Sequence, residues 1–197
     1  APNTAYALIG RKMFKNAGLI DGRDYKLDPI GGSEIRSKGL DTPAGAATML
    51  NPPWNFVARD RGAKSLGRTI DLYGPYQATG AFVMRSWAKS NEQVLERYLA
   101  AFIEGCRAAQ DPAQKKQVLA VLKRELKLDD RLTELTYQEL MLKGSGLSKD
   151  CAIDMPGFKN VLALRAEIEG QWGGNPPAPE KFLDMSYFDK AKRHTMP

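Results

Sequence analysis

Apolar and polar positions follow two different rhythms along this chain, and the change comes near residue 86. Before it, short apolar runs alternate with helical stretches. Ala5, Leu8, Ile9 and Met13 recur at helical spacing behind Asn3 and Thr4, either of which can cap a helix, and Gly18 is placed to end it. Tyr25-Lys26-Leu27-Asp28-Pro29-Ile30 alternates like a short strand. Gly31-Gly32-Ser33 is a turn that opens a second short helix from Glu34. Ala46 to Leu50 is a small apolar run, expected as a buried strand, which Asn51-Pro52-Pro53 breaks before a helix from Trp54. Ser65 to Leu72 and Ala78 to Arg85 are further strand expectations. Strands alternating with helices predict an open α/β layer.

After residue 86 the pattern is helical throughout. Ser90 and Gln93 have the spacing of a capping box, ahead of Val94, Leu95, Tyr98, Leu99, Phe102, Ile103 and Cys106 at helical period. Asp111-Pro112 starts a helix holding Val118, Leu119, Leu122 and Leu126. Asp129 caps a third, ending at Lys143-Gly144, and Asp154 a fourth, with Phe158, Val161, Leu162 and Ile168. Gly173 to Pro179 reads as a loop, and Ser186 caps a last short helix. No internal repeat and no low-complexity tract interrupts this order.

Composition adds bounds. The 197 residues suffice for one large domain or two small lobes. The net charge of +6 is scattered among carboxylates in nearly every segment, which argues for an ordinary surface and against a nucleic-acid footprint. No stretch approaches the run of about 18 apolar residues that spans a membrane, and no signal peptide is visible. The opening at Ala1, with a helix beginning almost at once, points to processing or truncation. Cys106 and Cys151 are too far apart for a metal-site spacing. They can pair in an oxidising compartment or remain two thiols.

The catalytic repertoire is thin. His194 is the only histidine, close to the end of the chain. There is no Walker A loop and no GxGxxG turn, and the carboxylates Asp60 and Asp129-Asp130 have no evident acid–base partner. The expectation is a protein that is not an enzyme and carries no metal or cofactor. Binding equipment remains. A helix beginning at Asn3-Thr4 offers free N–H groups to an anion. Asn51 and Trp54 follow the carboxyl end of an expected strand, where open α/β sheets bind ligands. Tyr76 and Gln77 lie in the segment joining the two halves, which has the composition of a hinge or a linker. In a doubly wound lobe these three places meet at one sheet edge.

Taken in order, these segments resemble the periplasmic solute-binding proteins for nitrate, sulfonates, taurine and thiamine-pyrimidine precursors. The resemblance rests on Asn3-Thr4-Ala5-Tyr6-Ala7-Leu8, on Ala17-Gly18-Leu19 followed by Asp24-Tyr25-Lys26-Leu27, and on Gly31-Gly32-Ser33. Met49-Leu50-Asn51-Pro52-Pro53-Trp54 is its most specific piece. It continues through Gly74-Pro75-Tyr76-Gln77, Phe82-Val83-Met84-Arg85-Ser86-Trp87, Asn91 to Leu99, and Asp184-Met185-Ser186-Tyr187-Phe188. The family's Asp ahead of the Asn-Pro-Pro strand is absent from Gly45-Ala46-Ala47-Thr48.

The resemblance implies a type II periplasmic-binding-protein-like α/β fold lacking its N-terminal part. Residues 1–78 would be an α/β lobe without its first strand, and 79–197 the return strand and the helices that rejoin the other lobe. It implies an extracytoplasmic receptor of an ABC importer that closes on a small, anionic organic ligand and delivers it to a permease. A ligand crevice of Asn3, Thr4, Asn51, Trp54, Tyr76 and Gln77 is expected on this side. A fragment of this kind would pair with a second chain or with the missing N-terminal piece. The alternatives are an enzyme like the pyrimidine-precursor synthases on the same fold, or the sensing domain of a signalling protein.

Overall fold

The computed structural model describes residues 3–195. Among the described residues ten α-helices carry the fold: α1 Ala5–Asn16, α2 Ser33–Gly39, α3 Trp54–Asp60, α4 Thr69–Tyr73, α5 Arg85–Ser90, α6 Glu92–Gln110, α7 Lys115–Leu126, α8 Asp130–Leu140, α9 Met155–Glu169 and α10 Ser186–His194. Four 3₁₀ turns, at Pro112–Gln114, Lys149–Cys151, Gln171–Gly174 and Pro179–Lys181, punctuate the second half.

The expected α/β architecture is not there. Among the described residues no sheet forms, and the only β contact is an isolated bridge between Asp21 and Tyr25. This overturns the type II periplasmic-binding-protein-like fold and each of its four strands. Tyr25 to Ile30 has no regular structure beyond that bridge, and the Ile30 amide turns back to the Asp28 carbonyl (3.0 Å). Ala46 to Leu50 is irregular and at least partly exposed, and the Met49 carbonyl accepts a hydrogen bond from Arg36 Nε (3.1 Å) where a ladder partner was expected. Ser65 to Leu72 is irregular until Thr69, where α4 begins. Ala78 to Arg85 runs out into solvent, with Phe82 93% exposed, and its last residue opens α5. The physical reason is that a buried strand needs a ladder on its edges and cover on its faces. None of these runs finds a ladder among the described residues, although Met49 and Tyr25 each pack on apolar neighbours, and a short apolar alternation reads the same in an unpaired segment.

The helices of the second half follow their local signals. Asp129 Oδ1 accepts from the Leu132 amide (2.7 Å) and starts α8. Asp154 Oδ2 accepts from the Gly157 amide (3.2 Å) and starts α9, which Gly170 ends in the left-handed region. Asp111 Oδ1 accepts from the Ala113 amide (2.9 Å), and Pro112 opens the 3₁₀ turn that leads into α7. Three details differ from expectation. Ser186 does not cap α10 but is its first residue, and its amide donates to Asp184 Oδ1 (3.0 Å). Ser90 is the last residue of α5 and caps nothing, with α6 starting after Asn91. Helix α8 ends at Leu140, short of Lys143.

Packing is local. Helix α1 lies on α9, α2 on α3, α7 on α8, and α10 on α6. The tightest core is where α1 crosses α9: Leu8, Ile9 and Leu164 are sealed from solvent, and Met49, Tyr73, Tyr76 and Ile168 close around them. At the edge of that contact Lys12 and Lys15 on α1 reach the Glu167 carboxylate on α9 at 2.7 and 2.9 Å.

The other end is held covalently. Cys106 on α6 is disulfide-bonded to Cys151 in the Lys149–Cys151 turn, across 45 residues of chain. Beside the bond sits Asp150, 3% exposed. Arg107 Nε donates to its Oδ1 at 2.8 Å, and Lys192 Nζ from α10 lies 2.8 Å from its Oδ2. These contacts, Arg107 first and then Lys192, hold the Asp150 carboxyl down at about 2. Arg107 also donates to the Thr195 carbonyl (2.7 Å), so one clasp joins α6, the disulfide turn and the end of α10.

Candidate ligand site at the first turn of α1

Helix α1 begins where its sequence says it should, because the Thr4 hydroxyl accepts from the Ala7 amide (3.3 Å) and satisfies one of the four amides left free at a helix start. Gly18, two residues past its end, takes φ +79°, which a residue with a side chain adopts reluctantly. Segments distant in the chain converge on the first turn. The Asn51 side-chain amide donates to the Tyr6 hydroxyl at 2.6 Å. The Tyr76 hydroxyl donates to the Ala5 carbonyl at 2.9 Å. Arg165 on α9 donates to the Asn3 carbonyl at 3.1 Å. The Arg36 guanidinium lies over the Tyr6 ring, 5.3 Å from its centroid.

Arg36 is positioned by its own contacts. It donates to the Gly31 carbonyl (2.6 Å), the Met49 carbonyl (3.1 Å) and the Ser33 hydroxyl (2.9 Å). This fastens the 46–50 segment to α2 and delivers Asn51 to Tyr6. Tyr76 is positioned from the other side. Its ring meets Tyr73 edge-on at 5.9 Å, and burial pushes its hydroxyl up to about 12, so it stays protonated and acts as a donor. Tyr73 is raised in the same direction, first by burial and then by Glu167.

Of the six expected site residues, Asn3, Thr4, Asn51 and Tyr76 therefore lie at this turn. Gln77 faces elsewhere: its Oε1 accepts from the Asp154 amide (2.9 Å) and its Nε2 donates to the Thr79 carbonyl. Trp54 is the first residue of α3, half-buried, behind the buried Pro53. Tyr6, Arg36 and Arg165 are additions. Tyr6 had a legible signal, an aromatic two residues after the cap, whereas the two arginines come from α2 and α9 and nothing local marks them.

The segment carrying Tyr76 is strapped to the start of α9. Asn160 donates to the Pro75 carbonyl (2.8 Å) and Gln77 accepts from Asp154. The strap passes so close that a Cβ on Gly157 would stand 2.8 Å from the Gln77 amide nitrogen. Two clefts lie elsewhere. One of about 200 Å³ is lined by Leu40, Asp41, Ala58, Arg61, Gly62 and Ala63. One of about 370 Å³ lies between α9 and the Pro176–Pro179 loop.

Among the described residues no cluster of His, Cys, Asp or Glu is arranged to hold a metal, and no helix is long and apolar enough to cross a membrane. The carboxylates singled out from the sequence have structural occupations. Asp60 pairs with Arg131, Asp130 with Lys123, and Asp129 caps α8. His194 is exposed at the last position of α10. Compared with known proteins, the chain matches no family model, no curated protein and no solved structure.

Proposed function

We propose that this chain belongs to an extracytoplasmic solute-binding receptor of an ABC importer and takes a small anionic organic ligand of the sulfonate, carboxylate or pyrimidine-precursor type. The observation that carries the reading is the meeting of Asn51 and Tyr76, from separate segments, at the first turn of α1. An anionic group at that turn would find oriented backbone N–H groups, and Arg36 and Arg165 as neighbouring positive charges. Tyr76 would line the ligand's body. The Cys106–Cys151 bond supports an oxidising compartment such as the periplasm, since cytosolic thiols are kept reduced. Closure of two α/β lobes forms no part of this reading. Recognition rests on the groups at the turn, and a permease would be the receptor's partner.

The test is mass spectrometry of ligand released from protein purified without refolding, followed by calorimetry with the compound found. Loss of one buried hydrogen bond to ligand, as in Asn51→Ala, is expected to cost about 1–3 kcal/mol, roughly 5- to 150-fold in affinity. If Asn51→Ala and Tyr76→Phe both bind as tightly as the parent, the site is wrong. If no ligand is carried and no sulfonate, carboxylate or pyrimidine phosphate raises the melting temperature, the receptor reading fails.

A further inference from the structure

Helix α6 buries Leu95, Ile103 and Cys106 toward α10 and the disulfide turn, yet its opposite side is also apolar. Val94 is 55% exposed, Tyr98 60% and Phe102 46%, and the Tyr98 and Phe102 rings stack at 6.5 Å. Ala101 and Gly105 are exposed on the same side, and a Cβ on Gly105 would meet nothing within 4 Å. Positions 94, 98, 101 and 105 follow one another at intervals of four, three and four, the spacing of a helix–helix seam. This face alternates in size along its length: Val94 and Tyr98 are large, Ala101 and Gly105 small.

We propose that this face pairs with the same face of a second copy, with the two α6 helices antiparallel about a two-fold axis between positions 99 and 100. That arrangement sets Tyr98 against the partner copy's Ala101 position and Val94 against its Gly105 position, so each large side chain enters the hollow left by a small one. In that register Arg97, on the border of the seam, stands about two residues, roughly 3 Å along the axis, from the level of the Glu104 position of the other copy, within reach of the two long side chains, twice by symmetry. Among the described residues neither Arg97 nor Glu104 has an ion-pair partner within the chain. A parallel pairing would set Tyr98 on Tyr98 and Gly105 on Gly105, and would turn Arg97 and Glu104 toward the uncharged border of positions 95, 102 and 109. Size and charge therefore both select the antiparallel copy. The seam is one helix wide and about three turns long, below the roughly 1,200 Å² of a standard stable interface, so the dimer is weak and reversible. The inference does not rest on the ligand reading.

Sedimentation velocity of the oxidised chain, from about 1 μM to about 1 mM, tests it. A reversible monomer–dimer equilibrium is expected. Arg97→Glu sets two like-charged pairs across the axis and should raise the dimer dissociation constant roughly tenfold or more, as should Glu104→Arg. The double variant restores opposite charges and should return to within about threefold of the parent. All are surface changes, and unchanged circular dichroism verifies that the fold is kept. A monomer throughout, a dimer indifferent to both single changes, or a double variant as weak as the singles overturns the proposal.

Discussion

Removing the Cys106–Cys151 bond tests the account of how the α6–α10 end is held. The bond closes a loop of 45 residues that contains all of α7 and α8. Chain-entropy bookkeeping for that length gives about 4 kcal/mol of stabilisation, through restriction of the unfolded chain. Two features of the fold lower the figure. Helical structure retained by α7 and α8 in the unfolded chain would already shorten the loop. The Asp150 clasp also keeps the ends together in the folded state after the covalent link is gone, since Arg107 and Lys192 still grip the carboxylate next to Cys151. The expected loss for Cys106→Ser/Cys151→Ser is therefore about 2–4 kcal/mol. Urea unfolding monitored by circular dichroism measures it as a lower midpoint, with a steeper denaturant dependence because the uncrosslinked chain unfolds further. Adding Asp150→Asn should then cost more than in the oxidised parent, because the clasp would be the remaining tie. A double-mutant cycle reads that excess directly. If the double Ser variant unfolds within about 0.5 kcal/mol of the parent, the bond is not holding this end and the reasoning is refuted.

Three further outcomes are expected. Leu164→Ala removes a fully buried side chain where α1 crosses α9 and should cost about 3–4 kcal/mol in urea unfolding, whereas the exposed Val121→Ala on α7 should stay within about 0.5 kcal/mol. Asp150 is held at about 2 against an ordinary 3.8, so its contribution is present above pH 4 and lost as pH falls through about 2. With Arg107 and Lys192 each a third exposed, that contribution is about 1–2 kcal/mol, and the stability gap between parent and Asp150→Asn should close over that window in acid titration of unfolding. Asp129→Ala leaves the Leu132 amide uncapped and should lower stability by about 1 kcal/mol, whereas Asp129→Asn should recover most of it.

The helices after residue 86 were legible because their signals are local. A carboxylate before the first turn, as at Asp129 and Asp154, finds its amide three residues on, whatever the rest of the chain does. Strands are not local. Ala46 to Leu50 and Ala78 to Arg85 carry apolar residues, but a strand exists only if a partner arrives, and among the described residues none does. Arg36 shows what took one partner's place, with a single guanidinium occupying the carbonyls of Gly31 and Met49. The six site residues were grouped on a sheet-edge argument, and the sheet is absent. The four that lie together do so around the first turn of α1, through Tyr6 and the Ala5 carbonyl. Gln77 could not be read correctly from its neighbours, because its partner is the backbone of Asp154, 77 residues away.

Gly157 gives the molecule an inner clearance with a long reach. The strap from Pro75 to Gln77 rides over α9 at a height that only a hydrogen atom permits, and Tyr76 leaves that strap to touch α1. Any larger group at position 157 would lift the strap as a wedge lifts a latch, and the Tyr76 hydroxyl would be drawn away from the Ala5 carbonyl. The alignment of α1's first turn is thus set in part by an atom that is missing from a helix contributing no side chain from that position. A residue with no chemistry of its own sets the clearance between α9 and the segment that carries Tyr76 to α1.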